Sequence, residues 1–101
     1  MAGQDYHATA RILGALAHPM RLRILELLRE REMCVCEMVA TLQRRQAYVS
    51  QQLAVLRQAG LVADRREGLK IFYRLADPAL ASLVTDASRL SNRLQVSVPS
   101  P

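Results

Sequence analysis

The chain has 101 residues, enough for one domain and too few for separate catalytic and regulatory units. Fourteen Lys and Arg against nine Asp and Glu leave a formal net charge of +5, which favours a polyanionic partner. No apolar run approaches the ~20 residues of a membrane span and the opening residues lack a signal-peptide pattern, so no membrane contact and a cytoplasmic location are expected.

Leu and Ala, both strong helix formers, supply 30 positions, while aromatic residues are few. The spacing predicts a first helix over 6–17, with Ile12, Leu13 and Leu16 on one face and Asp5 as its N-cap. Pro19 opens a second helix to about residue 31, carrying Leu22, Leu25 and Leu28 with Ile24 and Leu27 beside them. A short third helix over 37–42 turns Met38, Val39 and Leu42 inward. After a polar break at 43–46, a fourth helix runs to Gln58 with Val49, Leu53 and Leu56 at i, i+4 and i+7, and Gly60 is its expected stop. The period then changes, and 61–66 with 69–75 read as a hairpin turning at Glu67 and Gly68. Asp77 and Pro78 start a last helix to about residue 94, striped by Leu80, Leu83, Val84, Ala87, Leu90 and Leu94. One domain is expected over 1–95, with a frayed tail over 96–101. A chain this small buries only about 60–70% of its unfolded surface, so self-association is expected too.

Four helices, a hairpin and one helix (ααααββα) describe a mainly α winged helix-turn-helix with a small β-hairpin wing. The charge follows that order. Residues 43–74 hold seven Arg and Lys against two Asp and Glu, and the remainder of the chain is neutral. The whole net charge therefore falls in the fourth helix, its entry turn and the wing, where a reader of duplex DNA needs it. With Val49, Leu53 and Leu56 inward, Gln46, Ala47, Tyr48, Ser50 and Gln51 are the candidates to face DNA. Gln suits a bidentate bond to adenine, and Ser or Tyr reaches phosphate or a base edge. Tyr48 has a nearly as good alternative in packing on the preceding helix. Arg44 and Arg45 lie before the helix, and Arg66 and Lys70 flank the wing turn, all suited to the phosphate backbone or minor groove. Arg57 and Arg74 are as well suited to internal ion pairs.

Four segments in this order, Ala15-Leu-Ala-His-Pro-Met-Arg-Leu-Arg-Ile-Leu, Met33-Cys-Val-Cys-Glu-Met, Val49-Ser-Gln-Gln-Leu-Ala-Val-Leu-Arg-Gln-Ala-Gly-Leu-Val and Tyr73-Arg-Leu, resemble the ArsR/SmtB family of metal-sensing winged-helix repressors. The resemblance spans residues 15–75. It implies a homodimer, joined through the first and last helices, that holds operator DNA when ligand-free and releases it on binding an inducer. Where relatives commonly carry Ser or Thr before the recognition-helix Gln, this chain has Arg45, which removes a good N-cap and adds a cation.

Cys34 and Cys36 are too few and too close for a secreted disulfide framework and read as a reduced thiol pair. Thiolates hold thiophilic ions, and Cys-x-Cys at this point resembles the arsenic and cadmium sensors of the family, with As(III) the first expectation and Cd(II), Pb(II) or Zn(II) after it. On a regular helix the two side chains diverge by about 200°, so sharing one ion requires the first turn to unwind. Val39 stands where an arsenic sensor has a third Cys, leaving the third ligand to hydroxide, an outside thiol, or His7 or Asp5 of a partner chain. Oxidation or persulfidation of the pair is the alternative signal. His18 reads as a cap. No phosphate loop, nucleophile elbow or carboxylate cluster points to an enzyme, a thiol oxidoreductase lacks its βαβ context, and the aromatic platforms of single-strand RNA binders are missing.

Overall fold

The computed structural model describes residues 5–94. Helix α1 (Tyr6–Leu16) starts as expected, with Asp5 Oδ1 accepting the backbone N–H groups of His7 at 3.0 Å and Ala8 at 3.1 Å. Its carboxylate is thus already engaged within its own chain. Helix α2 (Pro19–Leu27) follows an extended His18, whose Nδ1 accepts the Met20 N–H at 3.1 Å. The cap assigned to His18 is therefore present.

Helix α2 ends four residues short of the predicted residue 31. The Arg29 N–H bonds back three residues to the Glu26 carbonyl at 3.2 Å, tightening the end, and the chain then extends into β1 (Met33–Cys34). This strand was not expected. It pairs antiparallel with β3 (Lys70–Leu75), Met33 opposite Tyr73 and Cys34 opposite Phe72, so a partner nearly forty residues away overrides the local helical preference.

Helix α3 (Val35–Leu42) and helix α4 (Gln46–Gln58) are joined by a turn in which Gln43 is left-handed, at φ 54°. Strand β2 (Val62–Glu67) completes a sheet of order β1-β3-β2, and α5 (Ala79–Leu94) closes the described chain. The hairpin turns on Gly68 and Leu69, one residue later than predicted, with Gly68 at φ +61° between the paired Glu67 and Lys70. Gly60 is also left-handed, at φ +78°, as a helix stop requires. The expected frayed tail lies outside the described residues. Among those residues no helix is long and apolar enough to cross a membrane.

Ile24, Leu25, Met38, Val49, Leu53 and Leu56 are fully buried and bind α2, α3 and α4 into one core. Arg21 fastens α1 to it: its Nε donates to the Ala15 carbonyl at 2.6 Å and its Nη1 to Gln52 Oε1 of α4 at 3.1 Å. The outer helices are less complete. Of the stripe on α5 only Leu80 is buried, and Leu13, Leu90 and Leu94 remain 51%, 46% and 64% exposed.

Candidate nucleic-acid interface and thiol site

The inward faces of α4 set its outward one. Val49, Leu53 and Leu56 occupy the core, which leaves Gln46, Ala47, Ser50 and Gln51 exposed in the first turns. Arg45 takes the N-cap position and makes no side-chain capping bond, in keeping with the loss of a good cap. Tyr48 differs from its neighbours. It is half-buried against the core, with the Arg44 guanidinium 4.2 Å from its ring centroid, so packing occupies much of a side chain also considered for DNA contact.

The basic residues of 43–74 divide by what they touch. Arg57 pairs with Asp64 at 3.7 Å, tying α4 to β2. Arg65 is held by Glu32 and by Glu67, the latter at 2.7 Å, and lies over the Phe72 ring at 4.6 Å. The bonds to these two carboxylates push its pKa further up, and its guanidinium pulls that of Glu32 down. Among the described residues Arg44, Arg45, Arg66, Lys70 and Arg74 make no ion pair within 4.0 Å and are exposed, so of the two arginines suited to internal pairs only Arg57 forms one. The exposed face of α4 and these free cations form a single candidate surface.

The cysteines correct two expectations. They are joined by a disulfide rather than present as thiols, and they do not diverge along one helix. Cys34 belongs to β1 and is the N-cap of α3, with extended φ −77° and ψ 158°, and only Cys36 lies inside the helix. The bend at the cap turns both sulfurs to the same side. A capping box fixes it: Cys34 Sγ accepts the Glu37 N–H at 3.3 Å, and Glu37 Oε1 accepts the Cys34 N–H at 3.2 Å. Arg31 grips the same carboxylate at 2.7 Å and, with the Cys34 N–H, holds its pKa below the ordinary carboxylate range. Among the described residues no group of three or more His, Cys, Asp and Glu is placed to hold a metal ion.

This site touches both halves of the candidate DNA surface. Through α3 it packs on α4, and through β1 it is a strand of the sheet that carries the wing. A cleft of about 190 Å³ lies where they meet, lined by Cys34, Cys36, Gln46, Ser50 and Lys70 among others. Spacing alone did not reveal the strand connection; the β-branched and aromatic run of β3 was the signal for half of it.

A helix-turn-helix whose second helix presents polar side chains beside a basic hairpin defines a winged-helix DNA-binding regulator. Residues 18–64 match the family model described as bacterial regulatory protein, arsR family. The HTH-type transcriptional regulator Rv0081 of Mycobacterium tuberculosis is 42% identical over 90 residues, covering 88% of this chain and 79% of that protein. Its crystal structure superposes with a TM-score of 0.80 over 89% of this chain and 91% of that one. The chain belongs to the ArsR family, whose members are transcriptional regulators rather than enzymes. The M. tuberculosis repressor SmtB is 46% identical over 80 residues, which are 79% of this chain, and the match spans 59% of SmtB's length. A homodimeric winged helix-turn-helix DNA-binding domain from Mycobacterium bovis is 33% identical, with a TM-score of 0.78 over 91% of each chain.

Proposed function

We propose that this chain is a cytoplasmic, homodimeric repressor that reads operator DNA through Gln46, Ser50 and Gln51, with Arg44, Arg45, Arg66 and Lys70 on the phosphate backbone or minor groove and Tyr48 buttressing the helix. Two copies join through the exposed stripes of α1 and α5 and set two recognition helices on successive half-sites, about 34–36 Å apart. The homodimeric M. bovis domain supports the assembly. Chemistry at Cys34 and Cys36 switches the affinity.

The observation that carries the reading is that one short segment, 33–37, holds both sulfurs and belongs at once to the wing's sheet and to the helix behind α4. In the dithiol state the pair offers two adjacent soft ligands, which suits As(III) with its third position filled by hydroxide or an outside thiol, ahead of Cd(II), Pb(II) or Zn(II). His7 and Asp5 of the partner chain, the latter with Oδ1 engaged as the α1 cap, are further candidates for that position. The second reading, release on oxidation to the disulfide, is favoured by the disulfide itself. Fluorescence anisotropy of the reduced protein on its own promoter DNA tests both. As(III) or a mild oxidant is expected to weaken binding 5–150-fold, the range of ordinary allosteric coupling. Unchanged affinity in every arm, or a normal response from Cys34→Ser/Cys36→Ser, contradicts the assignment of the switch.

A further inference from the structure

We propose that Cys36 is the entry sulfur of an exchange site for small thiols bearing a carboxylate, seated in the cleft between the start of α3, the start of α4 and the wing. The proposal deepens the redox reading and rests on it for its regulatory meaning. The exchange itself needs no DNA.

The two sulfurs of the disulfide are not equivalent. Cys34 is 3% exposed, inside a strand pair, whereas Cys36 is exposed. An incoming thiolate reaches the accessible sulfur and expels the other, so Cys36 Sγ is attacked and Cys34 Sγ leaves. The leaving sulfur already accepts the Glu37 N–H at the N-terminus of α3, where backbone donors and the helix dipole favour a thiolate.

The cleft's lining selects the attacking molecule. Its volume of about 190 Å³ is on the order of six water molecules, room for a small adduct. Beside Cys36 stand Gln46 and Ser50 as hydrogen-bonding groups and Lys70 as a cation. The Glu37 carboxylate, whose titration also feels Lys70, is held by Arg31 and by the Cys34 N–H. Lys70 makes no ion pair among the described residues and is left to receive a ligand's carboxylate.

In the first step the thiolate RS⁻ attacks Cys36 Sγ, the Cys34–Cys36 bond breaks, and RS–S–Cys36 forms while Cys34 departs as a thiolate. A second RS⁻ then attacks the adduct's outer sulfur, releasing RS–SR and the Cys36 thiolate. Two small thiols are oxidised to one disulfide, and the protein disulfide is reduced to two thiols. Between the steps the adduct stands between Gln46 and Ser50 of α4 and Lys70 of the wing, the two elements assigned to DNA.

The test measures reduction of the oxidised full chain by 3-mercaptopropionate and by 2-mercaptoethanol, which attacks as a thiolate but carries no carboxylate, in wild type and Lys70→Gln, without DNA. Acid-quenched samples are mapped by peptide mass. The expected result is an adduct on Cys36 and a Lys70→Gln loss of rate about fivefold greater for 3-mercaptopropionate than for 2-mercaptoethanol, the factor of one modest charge pair. An adduct on Cys34, or equal effects of Lys70→Gln on both thiols, overturns the proposal. Because no DNA is present, such a failure is distinguishable from failure of the repressor reading.

Discussion

The centre of the molecule and its outer helices solve the problem of a small chain in opposite ways. Around α2, α3 and α4, six large apolar side chains are fully removed from water, and Arg21 pins α1 against α4 through the Ala15 carbonyl and Gln52. On α1 and α5, Ile12, Leu13, Leu83, Leu90 and Leu94 keep more than a third of their surfaces wet. The sequence patterns of the two regions are alike, both being Leu-rich helical stripes. The structure separates them: the stripes of the centre are buried and hold α4 in place, whereas those of α1 and α5 stay partly exposed, the face proposed to meet a second copy. Burial completed within the chain fixes α4, and burial left open is what the proposed dimer contact would complete.

Removing core volume is expected to cost most. Leu53→Ala empties space beneath α4 and lowers unfolding free energy by about 2–5 kcal/mol, measured by denaturant titration. A cost below about 1 kcal/mol contradicts the closed-centre description. The opposite behaviour is predicted for Leu13→Glu/Leu90→Glu. Charges on the open stripes raise the dimer dissociation constant about thirtyfold or more, read by sedimentation velocity, while the monomer's helical circular dichroism persists. A variant that stays dimeric shows that these stripes are not the contact.

The exposed side of the closed centre carries smaller effects. Gln46→Ala is expected to relax discrimination at one operator position by about 1–3 kcal/mol, measured by binding to a set of single-base operator variants. Lys70→Ala and Arg66→Ala are each expected to weaken binding to all duplexes alike and to flatten the salt dependence by about 0.9 in log–log slope. If Arg65→Ala flattens it equally, the division between free and internally paired arginines is wrong. The ion pairs of Arg65 with Glu32 and Glu67 argue for a wing-stiffening part instead.

The elements legible in sequence were those whose signal is local. Asp5, His18 and Gly60 act within a few residues of themselves, and the i, i+4, i+7 repeat of Val49, Leu53 and Leu56 is the buried face of α4. The misjudged features depend on residues far apart in the chain. The overlong α2, the missed β1 and the wrong geometry of the cysteines share one cause: residues 33–34 pair with residues 72–73, and nothing in the window from 28 to 36 encodes that partner. The expectation of divergent thiols assumed both on one helix, whereas the bend at Cys34 turns them together. Tyr48 was legible only as a choice, and Arg44 over its ring tips it towards packing.

The proposed switch requires that the cysteine pair and the DNA-reading surface be energetically coupled, and thermodynamic reciprocity exposes that coupling to measurement. The measurement is the dithiol–disulfide equilibrium of the protein in a small-thiol redox buffer, with and without saturating promoter DNA. DNA is expected to shift the equilibrium towards the dithiol by the same factor by which oxidation weakens DNA binding, within 5–150-fold. An equilibrium that DNA leaves unchanged would contradict it.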